Sequence, residues 1–532
     1  MLFQSKLVWA AVATLCLAFF LQGLFASRVK SPTSDEPTHI MAGASYIATA
    51  RIVANPQHPP LMKELAGLSL ALAGIRWRNT TGTPLENWPA DGEWAAGNRF
   101  LAESGVVRTL FWARFPLLLL SSSIGLLIYW WGRELAGPAA GLGALFLFAA
   151  DPTMVAHGYL VTTDAGVTNL SLLFLLGLYR YFRKPGMGRL AGAGVVLGLA
   201  LCAKFSAVFL LPIAAALLAA NCFWPVSRPE RAERPSIVTL ASDMAVLSLV
   251  AIVVIQICYL SPRGPLLYLH GLGQVNADHT DVFRAYLGGQ IKHRFTTYFA
   301  VAWLLKEPLA TIVLALAGAV VAFRSRAIPR LAKLFLLVPP VVFFVACTVW
   351  ADDLGVRYEM PALVFGYLAG GIALAALLHG RTVYRALAIV ACAWVTMAAA
   401  GIYPDHLSYF NEAACLPSHL EGIGWDGGTR CGPDWLADSN VDWGQSLPQL
   451  KAWLDRNAPG RTVRLEYFGS FPPADYGIRF EKADPFIVPV PPPGLYAISS
   501  HWIPYAALIN GAAWLREEPE AIAGHAYYIF EF

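Results

Sequence analysis

Apolar runs recur along the chain from Leu7 to Tyr403, separated by short polar, Gly- or Pro-containing breaks. A membrane-spanning helix needs about 20 predominantly apolar residues. Eleven runs are candidates, starting near residues 7, 107, 137, 160, 190, 205, 237, 297, 334, 361 and 384. The third is short and Gly-rich, and only Cys202-Ala203-Lys204-Phe205 divides the fifth from the sixth. The first follows Lys6 and reaches Ala26. It is longer than a signal-peptide core of about 7–15 residues, and Leu24-Phe25-Ala26 is a poor cleavage site, so it reads as an anchor.

Beyond Pro404 the pattern changes to short β-prone runs between Gly-, Pro- and Asp-rich segments. Leu447 to Asn457 is helix-like, Val463 to Phe468, Gly494 to Ser500 and Ala526 to Phe532 read as strands, and Pro491-Pro492-Pro493 marks a loop. The expected architecture is an α-helical polytopic membrane protein over residues 1–403 with a small α/β domain over 404–532. Residues 28–106 form a first large loop carrying juxtamembrane helices.

Composition agrees with lipid as the main solvent. The 532 residues are 56% hydrophobic and 14% charged, with a mean hydropathy of +0.51, too little polar surface to cover a soluble globule. The net charge of +4 lies in short basic clusters between apolar runs, not in one stripe, which argues against a nucleic-acid partner.

Those clusters set the expected orientation. With the N-terminus in the cytoplasm, one side collects Arg133, then Arg180, Arg183, Lys184 and Arg189, then Arg228, Arg231 and Arg234. Arg324, Arg326, Arg330, Lys333, Arg381 and Arg385 continue the series. The opposite, extracytoplasmic face receives the loops near 28–106, 151–164, 261–296 and 352–360, and the whole C-terminal domain. Cys415 and Cys431, the only cysteines of that domain, lie in a Gly-rich loop on this face, so a disulfide is favoured over two free thiols.

Candidate chemistry gathers on the same face. Ser34-Asp35-Glu36-Pro37-Thr38-His39 precedes a helix-like stretch, so its acids either cap that helix or place Asp35 as a general base above the bilayer, with Glu36 and His39 to orient it or hold a cation. His58-Pro59-Pro60-Leu61-Met62-Lys63 opens a second helix, where Lys63 either snorkels or meets a phosphate near the amide donors. Asp164, after Thr162-Thr163, either caps a span or joins Asp35 in a two-carboxylate site.

Cations also stand at the outer ends of spans, against the positive-inside tendency: Arg114, Lys204, Lys306 and Arg357. Charge there is costly enough that several on one face call for an anionic partner, which a lipid phosphate would supply.

Taken together, Asp35-Glu36-Pro37-Thr38-His39, His58-Pro59-Pro60-Leu61-Met62-Lys63, Arg114-Phe115-Pro116, Thr162-Thr163-Asp164, Lys204-Phe205-Ser206 and Arg357-Tyr358 resemble the polytopic GT-C glycosyltransferases. These include protein O-mannosyltransferases and aminoarabinose transferases. The tail looks like that of bacterial members, through His406-Leu407-Ser408-Tyr409-Phe410-Asn411-Glu412 and Asp438-Ser439-Asn440-Val441-Asp442-Trp443-Gly444-Gln445.

The resemblance implies inverting transfer of a sugar from a polyprenyl-phosphate donor at a bacterial inner membrane, to a lipid, glycan or protein acceptor. It implies Asp35 as base, with Glu36 and Asp164 as further catalytic carboxylates. Lys63, Arg114, Lys204, Lys306 and Arg357 are the expected donor-phosphate ligands, the first four in that order of preference. His39, His58 and Tyr358 are expected at the substrate. No cofactor is specified, and a divalent cation is compatible with the carboxylates. Asp438, Asn440, Asp442 and Gln445 either bind a sugar or cation beside Trp443 or form a hydrogen-bonded loop. A lipid or sugar transporter without transferase activity is the rival reading, for which inverted repeats and mid-membrane polar residues would speak. Neither is evident in the sequence.

Overall fold

Each of the eleven apolar runs forms a helix or a pair of helices meeting at a bend. The computed structural model describes residues 2–79, 92–223, 236–278, 284–416, 419–484, 490–509 and 512–532. The basic cluster Arg228, Arg231 and Arg234, and part of the first large loop, lie outside the described residues.

Among the described residues, six helices are long and apolar enough to cross a membrane, or eight if each bent pair is one span. The count differs from eleven for physical reasons. The third run bends by 66° between Pro138–Ala149 and Pro152–Gly158, and the eighth by 111° between Tyr298–Lys306 and Leu309–Arg324. Asp151 accepts from the Met154 amide at the first break. At the second, Pro308 follows the last helical turn, and the Asn411 amide donates to the carbonyls of Leu304 and Glu307. Protein partners thus satisfy backbone that a helix would otherwise leave open, the condition for irregular chain at membrane depth. Met187–Ala203 and Phe205–Asn221 are shorter apolar helices.

In the first large loop, helices Glu36–Thr49 and Leu61–Leu72 pack through glycine. A Cβ on Gly43 would lie 1.9 Å from the Lys63 carbonyl oxygen, and one on Gly67 2.1 Å from that of Gly43. Only hydrogen allows the backbones this close, the small-residue contact typical of membrane helices. The pair fixes the start of the first helix, where Asp35 stands.

A short hairpin, β1 (Ala285–Leu287) and β2 (Gln290–Lys292), lies in the loop before the broken pair. The C-terminal part forms a five-stranded sheet of β3 (Val463–Glu466), β4 (Phe480–Lys482), β5 (Leu495–Ser499), β6 (Ala521–Ala523) and β7 (Tyr527–Glu531) in the order β4-β3-β5-β7-β6. β3 runs parallel to β4 and β5, and β7 antiparallel to β5 and β6. Leu447, Leu450 and Leu454 of helix Leu447–Asn457 pack on one sheet face. Ala506 of helix Trp502–Ile509, with Trp514 and Leu515, packs on the other. Cys415 and Cys431 are joined by a disulfide.

The two parts meet at the segment preceding Asp35. Ser31 N–H donates to the Gln445 carbonyl at 3.0 Å and Ser34 N–H to that of Trp443 at 2.9 Å. Ser31 Oγ donates to the Gly444 carbonyl. Beside them a buried ion pair joins Lys30 to Asp405, whose other oxygen meets His525. The tail therefore clamps the chain immediately before the candidate base.

Candidate active site

Asp35 is the N-cap residue of helix Glu36–Thr49, yet its side chain makes no capping hydrogen bond. The carboxylate is 30% exposed and lines a cavity of about 980 Å³. Its neighbour Glu36 is fully buried and behaves differently. Glu36 accepts from Arg114 Nε at 2.8 Å and Nη2 at 2.5 Å, from the Thr33 amide at 2.9 Å and from the Val161 amide at 3.0 Å. Burial disfavours its charge, but Arg114 and these donors outweigh that and hold its carboxyl below the usual range. Of the adjacent acids, one is a structural anion and the other faces open space.

The expected cations divide in the same way. Arg114 also donates to the carbonyls of Ser27, Lys30 and Ser31, so its fork is spent on protein oxygens. Lys63 donates to the Asn55 carbonyl at 2.6 Å, the Asn55 side chain at 3.3 Å and the His58 carbonyl at 2.8 Å. Its ammonium is pushed down to about 7 by burial, against the pull of Glu93 and Glu64. Lys306 donates to the carbonyls of Leu407 and Asn440 and lies over the Phe410 ring. None of the three lines the cavity. These three cations are thus held by protein oxygens and stand apart from the cavity wall, against the expected order of phosphate ligands.

Lys204 and Arg357 do line it. Lys204 donates to Asp164 at 2.5 Å and lies 4.2 Å from the centre of the Tyr358 ring. Asp164, 2% exposed, supports that lysine from behind and does not join Asp35 in the cavity wall, as the two-carboxylate reading expects. Arg357 lies over Trp443, 3.8 Å from the ring centre, with Nη1 4.0 Å from Asp35 Oδ2. Its buried Nε has no hydrogen-bond partner among the described residues. In a cavity wall, a guanidinium can pair with an anion.

His39, His58 and Tyr358 are also in the wall. The two imidazoles pack edge-to-face, 4.7 Å apart. Burial, and for His58 the charge of its neighbours, push both below the ordinary histidine range. His39 Nδ1 sits 2.8 Å from the Val161 carbonyl, which only accepts, so Nδ1 carries the proton and Nε2 is a free lone pair.

Arg294 and Phe468 are among the wall residues outside the expected set, and Asp438 and Trp443 of the tail motif line the wall as well. Arg294 follows a loop without periodicity, and its only sequence signal is a positive charge on the face opposite the basic clusters. In the tail motif, Asn440 bonds to Val356, Tyr298 and Ala437, Asp442 to Gly444 and Ser499, and Gln445 to Trp443. That is the hydrogen-bonded-loop reading. Asp438 alone turns toward open space. Among the described residues, no group of three or more His, Cys, Asp or Glu side chains is placed to hold a metal ion.

Residues 106–255 match the family described as dolichyl-phosphate-mannose-protein mannosyltransferase. The whole chain is similar in fold to ArnT from Cupriavidus metallidurans in the apo state, at 14% identity and a TM-score of 0.50, covering 99% of this chain and 98% of that one. It is similar also to the oligosaccharyltransferase of Archaeoglobus fulgidus in the apo form, at 12% identity and a TM-score of 0.50, over 97% of this chain and 73% of that one. The third similarity is to the archaeal oligosaccharyltransferase AglB from Archaeoglobus fulgidus in complex with an inhibitory peptide and a dolichol-phosphate. There the identity is 13% and the TM-score 0.51, over 86% of this chain and 59% of that one. Among curated protein sequences, none matches.

Proposed function

Starting from a chain with the GT-C glycosyltransferase fold, we propose that it moves a sugar from a polyprenyl-phosphate donor to a nucleophilic acceptor on the extracytoplasmic face of a bacterial inner membrane. The observation that carries this reading is the cavity wall itself, where the Asp35 carboxylate, which makes no capping hydrogen bond, stands 4.0 Å from Arg357 and on the same surface as Lys204. AglB, with a related fold, was solved with a dolichol-phosphate, the class of leaving group such cations suit.

Asp35 takes the proton of the acceptor hydroxyl or amine as its heteroatom forms a bond to the anomeric carbon. The bond from that carbon to the phosphate oxygen breaks on the opposite face, which inverts the centre. The electron pair leaves on the lipid phosphate, where Arg357 and Lys204 meet the growing charge, with Arg294 at the same wall. Asp164 holds the Lys204 ammonium in place through its hydrogen bond, and Arg114 with Glu36 holds the backbone from which Asp35 projects.

Incubating the purified protein in lipid nanodiscs with polyprenyl-phosphate sugars tests the proposal. Release of lipid phosphate by the wild type is expected, and its absence across the donor set counts against the reading. Orientation is tested by an impermeant thiol label on intact cells carrying Arg456→Cys, which should react; labelling only after lysis contradicts the extracytoplasmic placement.

A further inference from the structure

A second cavity, of about 330 Å³, lies where the C-terminal domain meets the loop before the broken helix pair and the loop after helix Arg330–Trp350. Its wall carries aromatic rings from both parts, among them Tyr286, Tyr298, Trp502 and Tyr505. Their polar tips are already engaged. Tyr286 Oη donates to the Asp434 carbonyl, Tyr505 Oη to that of Arg284 and Trp502 Nε1 to that of Tyr467, and Tyr298 Oη accepts from Asn440. What these residues chiefly offer a ligand is ring surface, with the Tyr298 hydroxyl proton still free to donate.

The polar capacity comes from other residues. Asp353, 5% exposed, accepts from the Phe295 amide with Oδ2, whereas its buried Oδ1 has no hydrogen-bond partner among the described residues. Asp438 lines the cavity too, in a left-handed backbone conformation with φ +59°. Asp438 N–H donates to His501 Nδ1, so the His501 proton is on Nε2, and the His501 ring stacks on Phe468 at 3.7 Å. Arg284 and His293 add donors on the remaining wall.

This second cavity shares Asp352, Leu354, Asp438 and Phe468 with the larger one. A ligand seated here therefore adjoins the donor cavity.

We propose that the smaller cavity is the acceptor subsite and that its ligand is a saccharide ring. A saccharide offers apolar C–H faces to the aromatic rings and hydroxyl donors to the carboxylates. Its oxygens can accept from Arg284 and His293, a mixture that neither a purely cationic nor a purely apolar ligand matches. The inference rests on the transferase reading for the word acceptor, but not for the binding.

Calorimetric titration of the full chain in nanodiscs with methyl hexosides and hexose disaccharides, with ethanolamine as the cationic comparison, tests it. Saturable saccharide binding is expected, weakened at least tenfold by Asp353→Asn and by Trp502→Leu, while polyprenyl phosphate binds within twofold of wild type and so reports an intact fold. No saccharide binding, equal binding by both folded variants, or a preference for ethanolamine overturns the proposal. Saccharide binding without sugar transfer keeps the subsite and removes the transferase reading. Sugar transfer to water without saccharide binding does the reverse.

Discussion

Replacing Arg114 with Met separates a structural cation from a phosphate ligand. The guanidinium reaches Glu36 through two nitrogens and the carbonyls of Ser27, Lys30 and Ser31 through the terminal pair, and both ionic partners are buried. Removing one member of a buried ion pair costs about 3–5 kcal/mol, because the remaining charge has lost its counter-ion. Three carbonyls also lose a donor, at roughly 1 kcal/mol or more for each that stays buried and unsatisfied. The Thr33 and Val161 amides still hold Glu36, which offsets part of the loss.

Arg114→Met should therefore destabilise the protein by about 4 kcal/mol. Arg114→Met combined with Glu36→Met should regain much of it, since no buried charge is left alone. Reversible denaturation in mixed micelles, read by tryptophan fluorescence over a double-mutant cycle, gives both numbers. An Arg114→Met variant of wild-type stability that fails to bind polyprenyl phosphate would refute the reasoning and return Arg114 to the donor.

Two further outcomes are expected. Arg357→Met and Lys204→Met should each weaken polyprenyl-phosphate binding roughly 10- to 150-fold, the worth of a charge-assisted hydrogen bond of about 1.5–3 kcal/mol. Lys63→Met should instead lower the thermal midpoint, and binding lost only in Lys63→Met would reverse the assignment. For His525, burial opposes the imidazolium, but its hydrogen bonds to Asp405 and Asp426 prevail and raise it to about 9. Because that folded value exceeds the ordinary one of about 6.5, the stabilisation is complete below about pH 6.5 and is lost as pH rises through 9. The wild-type thermal midpoint should fall more steeply across that window than that of His525→Gln, and parallel curves would exclude the effect.

Much of the architecture is legible locally, because periodicity and chain breaks are local properties. Leu447–Asn457 is helical over the expected span, and β3, β5 and β7 fall inside the expected strands. β4 and β6, three residues each, carry too short a pattern to register. The loop cluster near Asp35 is legible as well, since motifs from six separated segments resemble one family. What each charge does is another matter. Nothing within several residues of Asp35 and Glu36 tells which is spent; Arg114 and Val161 decide it from far along the chain. Lys306 looks like Lys204 in sequence, yet the Leu407 and Asn440 carbonyls absorb the first, whereas Asp164 and the Tyr358 ring meet the second. Trp443 and Phe468 enter the cavity because the tail folds back onto residues 31–34, a contact no local pattern encodes.

The most direct measurement is single-turnover transfer from a polyprenyl-phosphate sugar by wild type and Asp35→Asn, alongside polyprenyl-phosphate affinity for both. Loss of a positioned base should slow the chemical step about 10²- to 10⁴-fold while leaving affinity within about twofold. Turnover undiminished in a folded Asp35→Asn protein would contradict the account.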